Sequence, residues 1–151
     1  MYRIIKRIVQ AHGHLDTFTN LESGTTFHLH VDNDPYQSLV IERIRSDIVS
    51  LAHYAMQNGD PCQDPEMTFR TPPRHQIWEA EWIPLTYTQA FVGVYQEAYP
   101  IISGVERVRP QIARSLIHFA RGWARNIREQ RYHGPETTAR SLTHPAKSNH
   151  P

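Results

Sequence analysis

The chain has 151 residues, of which 39% are hydrophobic and 21% are charged, and its formal net charge at pH 7 is +1. This length suits one domain that buries its core without staples, and the single cysteine, Cys62, excludes an internal disulfide and a multi-cysteine zinc site. The basic start lacks the apolar stretch of a signal peptide, and no apolar run reaches the roughly 18 residues of a membrane span, so we expect a cytoplasmic protein.

The first part of the chain predicts a helix followed by antiparallel strands. Residues 2–11 carry aliphatic side chains at helical spacing with basic side chains opposite, which is typical of a short amphipathic helix. Residues 25–32 alternate apolar and polar side chains, as a half-buried strand does. Residues 38–44 and 48–56 are rich in aliphatic side chains and are separated by a short polar turn, so we expect a hairpin at the centre of the sheet.

The stretch 47–70 begins with an apolar strand, and we expect the other elements to bury their apolar side chains against the face of this strand. After that strand we expect a turn at Asn58, Gly59 and Asp60, then a short return segment over residues 66–70. Prolines lie on both sides of the return segment and cannot donate to a strand ladder. They predict an edge strand or a short paired one.

Residues 77–83 alternate strictly, with Trp78, Ala80 and Trp82 on one face, and predict one more strand. The aromatic side chains of this region fit a core better than a platform for stacking bases, because acidic residues lie beside them. Residues 86–99 fit both a pair of strands and a strand followed by a helix, and their pattern leaves the two alternatives open.

Residues 110–131 predict a long amphipathic helix that packs on the sheet, and Pro110 suits its first turn. Residues 134–151 hold almost no large apolar side chain to offset the entropy of ordering, which predicts a disordered tail. The expected fold is α+β, with a single domain over residues 1–133. Its mainly antiparallel sheet of about five strands is covered by an N-terminal helix and the long C-terminal helix.

Charge is distributed unevenly along the chain. Residues 1–106 carry 7 Lys/Arg against 13 Asp/Glu, whereas residues 107–151 carry 9 against 2. The predicted C-terminal helix places a row of basic side chains within about 80° of arc, opposite its apolar stripe. The row consists of Arg114, His118, Arg121, Arg125 and Arg128. It predicts a partner-binding surface for an acidic protein or a nucleic-acid backbone, and the simpler interpretation is a solvated or internally paired helix face.

Two segments spell His-x-His-x-Asp, at His12 to Asp16 and at His28, His30 and Asp32. In a strand the second set shares one face and could chelate a divalent metal, which would suggest metal-dependent hydrolysis. The exposed side of an amphipathic strand explains the pattern as well. No zinc-protease helix, glycine-rich phosphate loop or nucleophile elbow accompanies it, so we expect neither a metal nor a cofactor.

Carboxylates gather near the turn after the central strand, at Asp60, Asp64 and Glu66, with His53 just before them. Such a group performs acid–base chemistry only where a cleft shifts its pKa values. Aspartate beside proline and glycine more often serves the turn itself, so we expect no catalytic residues here.

Two blocks in the middle of the chain carry a resemblance. They are the pattern HY-x-x-QNGD-x-x-x-DPEM, at residues 53–67, and Y-x-x-x-x-x-GVYQE-x-Y, at residues 87–99. Residues 34–99 thereby resemble an uncharacterised family of small proteins found in bacteria, phages and plasmids. The resemblance implies accessory cargo of a mobile element and supplies no catalytic residues.

Together these features predict a non-enzymatic protein that binds a macromolecule. The leading hypothesis is a phage or plasmid protein that inhibits a host defence system such as CRISPR by binding a protein or ribonucleoprotein component. The alternatives are direct nucleic-acid binding in a regulatory role and, third, a metal-dependent hydrolase. The sequence leaves the oligomeric state open.

Overall fold

The computed structural model describes residues 1–146 and shows three α-helices on one face of a seven-stranded antiparallel sheet. The helices are α1 Tyr2–Ala11, α2 Leu15–Thr19 and α3 Pro110–Glu129. The strands are β1 Thr25–Asn33, β2 Tyr36–Arg45, β3 Ile48–Gln57, β4 Asp60–Arg70, β5 Ile83–Gln89, β6 Val94–Glu97, β7 Ile101–Ile102, β8 Val105–Glu106 and β9 Thr138–Pro145. The large sheet has the order β6-β5-β4-β3-β2-β1-β9, and β7 and β8 form a separate hairpin. Within residues 1–146, no helix is long and apolar enough to cross a membrane.

The core lies between the helices and one face of the sheet. Alternation along the strands directs Phe27, Ile41, Leu51 and Phe69 to this face, where all four are buried. Helix α1 covers the residues predicted for it, and its aliphatic side chains at helical spacing are all buried. The predicted α+β class and antiparallel sheet are therefore confirmed, although the sheet has seven strands rather than about five.

The opposite face of the sheet, which we call the open face, carries none of the three α-helices. Its side chains hydrogen-bond to one another across neighbouring strands. His28 Nδ1 lies 2.6 Å from Glu42 Oε1, and Ser50 Oγ donates to Glu66 Oε1 at 2.7 Å. These cross-strand pairs satisfy polar groups that the pleat directs away from the core.

The turn predicted at Asn58 and Gly59 joins β3 to β4, and both residues have positive φ, 52° and 86°. Such values suit asparagine and glycine in a two-residue hairpin. Of the two alternatives for the return segment, the edge strand is wrong and the paired strand is correct, because β4 lies between β3 and β5. Two residues of β4, Asp64 and Pro65, lie opposite the single residue His53, so the proline falls at a bulge and needs no ladder donor.

The strand predicted over residues 77–83 was also wrong. This segment follows a short 3-10 turn and folds back on itself, with Trp82 Nε1 donating to the carbonyl of Ile77 at 2.9 Å. Trp78 and Trp82 pack against Phe18 of α2 instead of alternating across a sheet. For residues 86–99 the sequence left open a pair of strands or a strand followed by a helix. The structure shows the pair of strands, β5 and β6, joined by a turn that ends at Gly93.

The prediction of a disordered tail over residues 134–151 was wrong for residues 138–145. They form β9, which pairs with β1 in antiparallel register from Thr25 opposite Pro145 to Asp32 opposite Thr138. Seven of its eight residues are exposed, so main-chain hydrogen bonds rather than apolar burial hold the strand. Residues 147–151 of the predicted tail lie outside the described residues.

Candidate binding surface on the helix layer

Helix α3 positions the basic row that the sequence predicted. Pro110 occupies the first turn, and the helix runs for 20 residues without an internal proline. Leu116, Trp123 and Ile127 are buried on the side that faces the sheet. Phe119 adds an edge-on contact with Tyr87 of β5, with ring centroids 4.8 Å apart. These contacts fix the rotation of α3 about its axis and so determine which side chains face solvent.

All five residues of the predicted row are exposed: Arg114, His118, Arg121, Arg125 and Arg128. Within residues 1–146, none of these side chains forms a hydrogen bond or an ion pair. The alternative of internal pairing with the acidic part of the chain is therefore not what the structure shows. The guanidinium groups remain available to another molecule.

Helix α1 extends this charge. It contributes Arg3, Lys6 and Arg7, and α1 and α3 together carry seven lysines and arginines against one carboxylate, Glu129. A groove of about 350 Å³ runs between the start of α1 and α3, with Arg3, Arg121 and Arg128 in its lining. We call Arg3 and the five residues of the α3 row the basic helix surface.

Positive groups outnumber carboxylates in the lining of this groove. The α-amino group of Met1 lies in the groove, 4.0 Å from Glu81 Oε2. Burial lowers the pKa of this amine, and the charges of Arg128, Arg3 and Arg121 lower the pKa further, against the opposing effect of Glu81. The lining of the groove thus holds three arginines and the terminal amine against one carboxylate, Glu81.

Acidic side chains lie on the other side of the molecule. Asp32, Glu42, Glu66 and Glu97 project from the open face, where Arg140 is the basic neighbour of Asp32 at 3.9 Å. The open face thus carries these four carboxylates, whereas the helix layer carries the basic row and fewer carboxylates, Glu81 and Glu129 among them. The sequence divided the charge between residues 1–106 and 107–151. In the structure, α1 belongs to the first of these parts but adds its basic side chains to the helix layer.

The metal-ligand candidates share the open face of β1 but do not converge. His28 Nδ1 is in hydrogen-bond contact with Glu42. His30 Nε2 lies 2.9 Å from Asp32 Oδ1 and 3.2 Å from Arg140 Nη2. Asp32 also accepts a hydrogen bond from the Ser38 hydroxyl, and this bond is the main reason that its pKa is lowered. No three His, Cys, Asp or Glu side chains in the described part of the chain are grouped to hold a metal ion.

The acid–base candidates are not brought together either. Glu66 lies on the open face, whereas His53 is buried on the helix-covered face beneath α3. Trp123 Nε1 donates to His53 Nδ1, and His53 Nε2 lies 3.3 Å from the hydroxyl of Tyr132. Burial lowers the pKa of His53 to about 4, so the ring is neutral at pH 7 and belongs to the core.

Sequence reasoning missed the contribution of α1 to the binding surface. The amphipathic pattern of residues 2–11 already showed that the basic side chains would face away from the core. What the pattern does not contain is the contact between α1 and α3, which brings Arg3 beside Arg121 and Arg128.

Comparison with known proteins adds a family and no activity. No curated protein and no solved structure matches the chain. One family model matches residues 3–133, a span that begins at the second residue of α1, includes strands β1 to β8 and α3, and ends before β9. Because this match covers most of the chain, the protein belongs to the family described as Domain of unknown function (DUF6908).

Proposed function

We propose that the protein acts by binding another macromolecule through the basic helix surface and performs no catalysis. One observation carries this proposal. Four exposed arginine side chains lie along one side of α3 with no ion pair among residues 1–146. Surface arginines with internal partners would lose those partners on binding, whereas these four lose only water.

The chemistry of the row favours an anionic partner. Arg114 and Arg128 are 14 residues apart, which at about 1.5 Å per residue places them about 21 Å apart along the helix. A row of this length matches one side of a standard protein interface. Guanidinium groups form paired hydrogen bonds with carboxylates and phosphates, so the row suits a surface that presents either group repeatedly.

The partner we propose is a protein or a ribonucleoprotein. The resemblance to small phage and plasmid proteins supplies a context, in which the protein inhibits a host defence system such as CRISPR by binding one of its components in the cytoplasm. In that context the acidic open face remains free when the basic helix surface is occupied, since the two lie on opposite sides of the sheet.

A second candidate function is direct binding of nucleic acid. The observation that favours it is the extension of positive charge from α3 to Arg3 of α1, because each further cation can neutralise one more phosphate of the backbone. The acidic open face opposes it by repelling any nucleic acid that wraps around the sheet. Salt separates the two candidates, since phosphate contacts release counterions and lose affinity steeply with salt.

The test is a pull-down from host lysate with tagged protein, with and without nuclease, followed by mass spectrometry. The variant to compare replaces Arg114, Arg121, Arg125 and Arg128 with glutamate. At about 0.7 kcal/mol per exposed charge pair, it should bind a protein partner about a hundredfold more weakly. Circular dichroism should show an unchanged fold, because all four side chains are exposed.

A matched control reverses two exposed arginines elsewhere, Arg45 and Arg140, and should retain the partner. Arg45 forms an exposed ion pair with Asp47, and Arg140 forms one with Asp32 beside an exposed contact with His30; such contacts contribute little to stability. Unchanged binding in the α3 variant would refute the role of the basic helix surface. Recovery of nucleic acid alone, lost at moderate salt, would support the second candidate instead.

A further inference from the structure

A pocket of about 430 Å³ lies at the end of the sheet where the β2–β3 turn meets the chain that follows β4. It is separate from the basic helix surface, and its lining combines two arginines with three hydroxyl groups. The residues that concern us are Ser23, Arg43, Ser46, Thr71 and Arg74.

Arg43 is a buried cation, with 1% of its surface exposed. It follows Leu39 and Ile41 in the alternation of β2 and therefore points to the helix-covered face. Its guanidinium donates to main-chain carbonyls: Nη1 to Phe18 and, at 2.9 Å, to Thr19, and Nη2 to Ser46 at 2.7 Å. Among residues 1–146, no carboxylate forms an ion pair with it.

These hydrogen bonds leave part of the guanidinium unused. Arginine has five N–H groups, and the three bonds leave the Nε–H and one Nη2–H of Arg43 without an acceptor. Carbonyl groups carry partial charges, so they solvate a buried cation without neutralising it. Arg74 adds a second positive charge, which together with burial lowers the pKa of Arg43.

Thr71 provides an independent observation in the same pocket. Its side chain is 6% exposed, and its Oγ1 has no hydrogen-bond partner among the described residues. Native proteins rarely leave a buried hydroxyl without a partner, because each costs free energy. Thr71 and Arg43, which each carry a buried polar atom without a partner, thus both belong to the lining of one pocket beside Arg74.

We propose that this pocket binds the phosphate group of a small phosphate monoester. Guanidinium and hydroxyl donors that surround an anion from several directions suit a tetrahedral group with several acceptor oxygens. The one carboxylate in the lining, Asp47, faces Arg45 at 3.4 Å. The apolar part of the lining, Leu21 and Pro72 among it, would contact the organic part of the ester. The proposal is independent of macromolecule binding by the basic helix surface.

Calorimetric titration tests the proposal with inorganic phosphate and with phenyl phosphate. A titration with chloride at equal ionic strength is the control for nonspecific effects of salt. Both phosphates should bind saturably to the full chain, and the ester should bind more tightly because of the apolar lining. Thr71→Val and Arg74→Gln should each weaken binding about tenfold or more. Arg107→Gln removes an exposed charge outside the pocket and should leave the affinity unchanged.

Thermal unfolding keeps the test independent of folding defects. Thr71→Val replaces a hydroxyl that has no partner with a methyl group of similar size, so without phosphate the variant should be at least as stable as the wild type. At the same phosphate concentration, phosphate should then raise the midpoint of the wild type by more than that of Thr71→Val. Absence of saturable binding to the wild type, or equal affinity in Thr71→Val and Arg74→Gln, would overturn the site.

Discussion

Acid should destabilise this fold through His53, whose ring nitrogens are both committed in the neutral state. The Tyr132 hydroxyl donates to the carbonyl of Gln37 at 2.6 Å, so its oxygen accepts the proton on His53 Nε2. His53 Nδ1 accepts from Trp123 Nε1 at 3.3 Å. A second proton on the ring would sit on Nδ1 and face the N–H of Trp123, which removes one hydrogen bond and buries a charge.

The size of the effect follows from the pKa values of the two states. Burial lowers the pKa of His53 from 6.5 to about 4, so between these values the unfolded chain binds a proton that the folded chain does not. Stability contributed by the neutral ring is therefore complete above pH 6.5, falls as the pH falls from 6.5 to about 4, and falls no further below that. The loss amounts to about 2 kcal/mol at pH 5 and about 3 kcal/mol at pH 4.

Urea unfolding at about pH 7.5 and about pH 5 measures this loss. His53→Gln should be less stable than the wild type at the higher pH, but should lose about 2 kcal/mol less between the two pH values. His118→Gln removes an exposed histidine on α3 and should retain the loss seen in the wild type. An equal loss of stability in the wild type and in His53→Gln would refute the argument.

Two further predictions concern packing and the last strand. In a urea titration, Ile127→Ala should lower the free energy of unfolding by about 2–5 kcal/mol, because the side chain is fully buried. The control is Ile117→Ala on the same helix. Ile117 is 38% exposed, so this variant should change the free energy of unfolding by less than about 1 kcal/mol. Removal of residues 138–151 should cost less than about 2 kcal/mol but leave the edge of β1 unpaired, so ultracentrifugation should show self-association. A monomeric or unfolded truncated chain would contradict this expectation.

Elements with a clear period were predicted correctly, and the errors occur where another constraint overrides the period. Helix α1, strand β1 and helix α3 each bury one periodic set of side chains, which the sequence displays directly. Pro65 argued for an edge, but a bulge removes the need for its missing donor. The Trp78 and Trp82 alternation fits a folded-back segment equally well, because both rings pack on Phe18.

Strand β9 was missed for a different reason. Sequence patterns report which side chains need burial, and β9 buries almost none. Its pairing depends on main-chain groups that every residue except proline carries, so composition cannot distinguish it from a disordered tail.

The candidate sites were predictable to different degrees. The α3 row could be predicted from residue spacing alone, whereas its neighbour Arg3 depends on a contact between distant parts of the chain. The pocket around Arg43 left one readable signal. An arginine at the position where β2 continues the inward alternation of Leu39 and Ile41 indicates a charge inside the protein.

The order of the strands also bears on how the chain folds. Strands β1 to β6 pair with their sequence neighbours, so each hairpin forms by closing a short loop, and such topologies fold quickly. Two steps require distant parts of the chain: docking of α3 on the sheet, and pairing of β9 with β1. During synthesis, the apolar face that includes Leu51 and Met67 would be exposed to solvent from the time the six strands emerge until α3 emerges. The strands therefore emerge from the ribosome before α3, the helix that covers them. Aggregation is most favourable between these two steps, because the apolar face of the sheet is exposed.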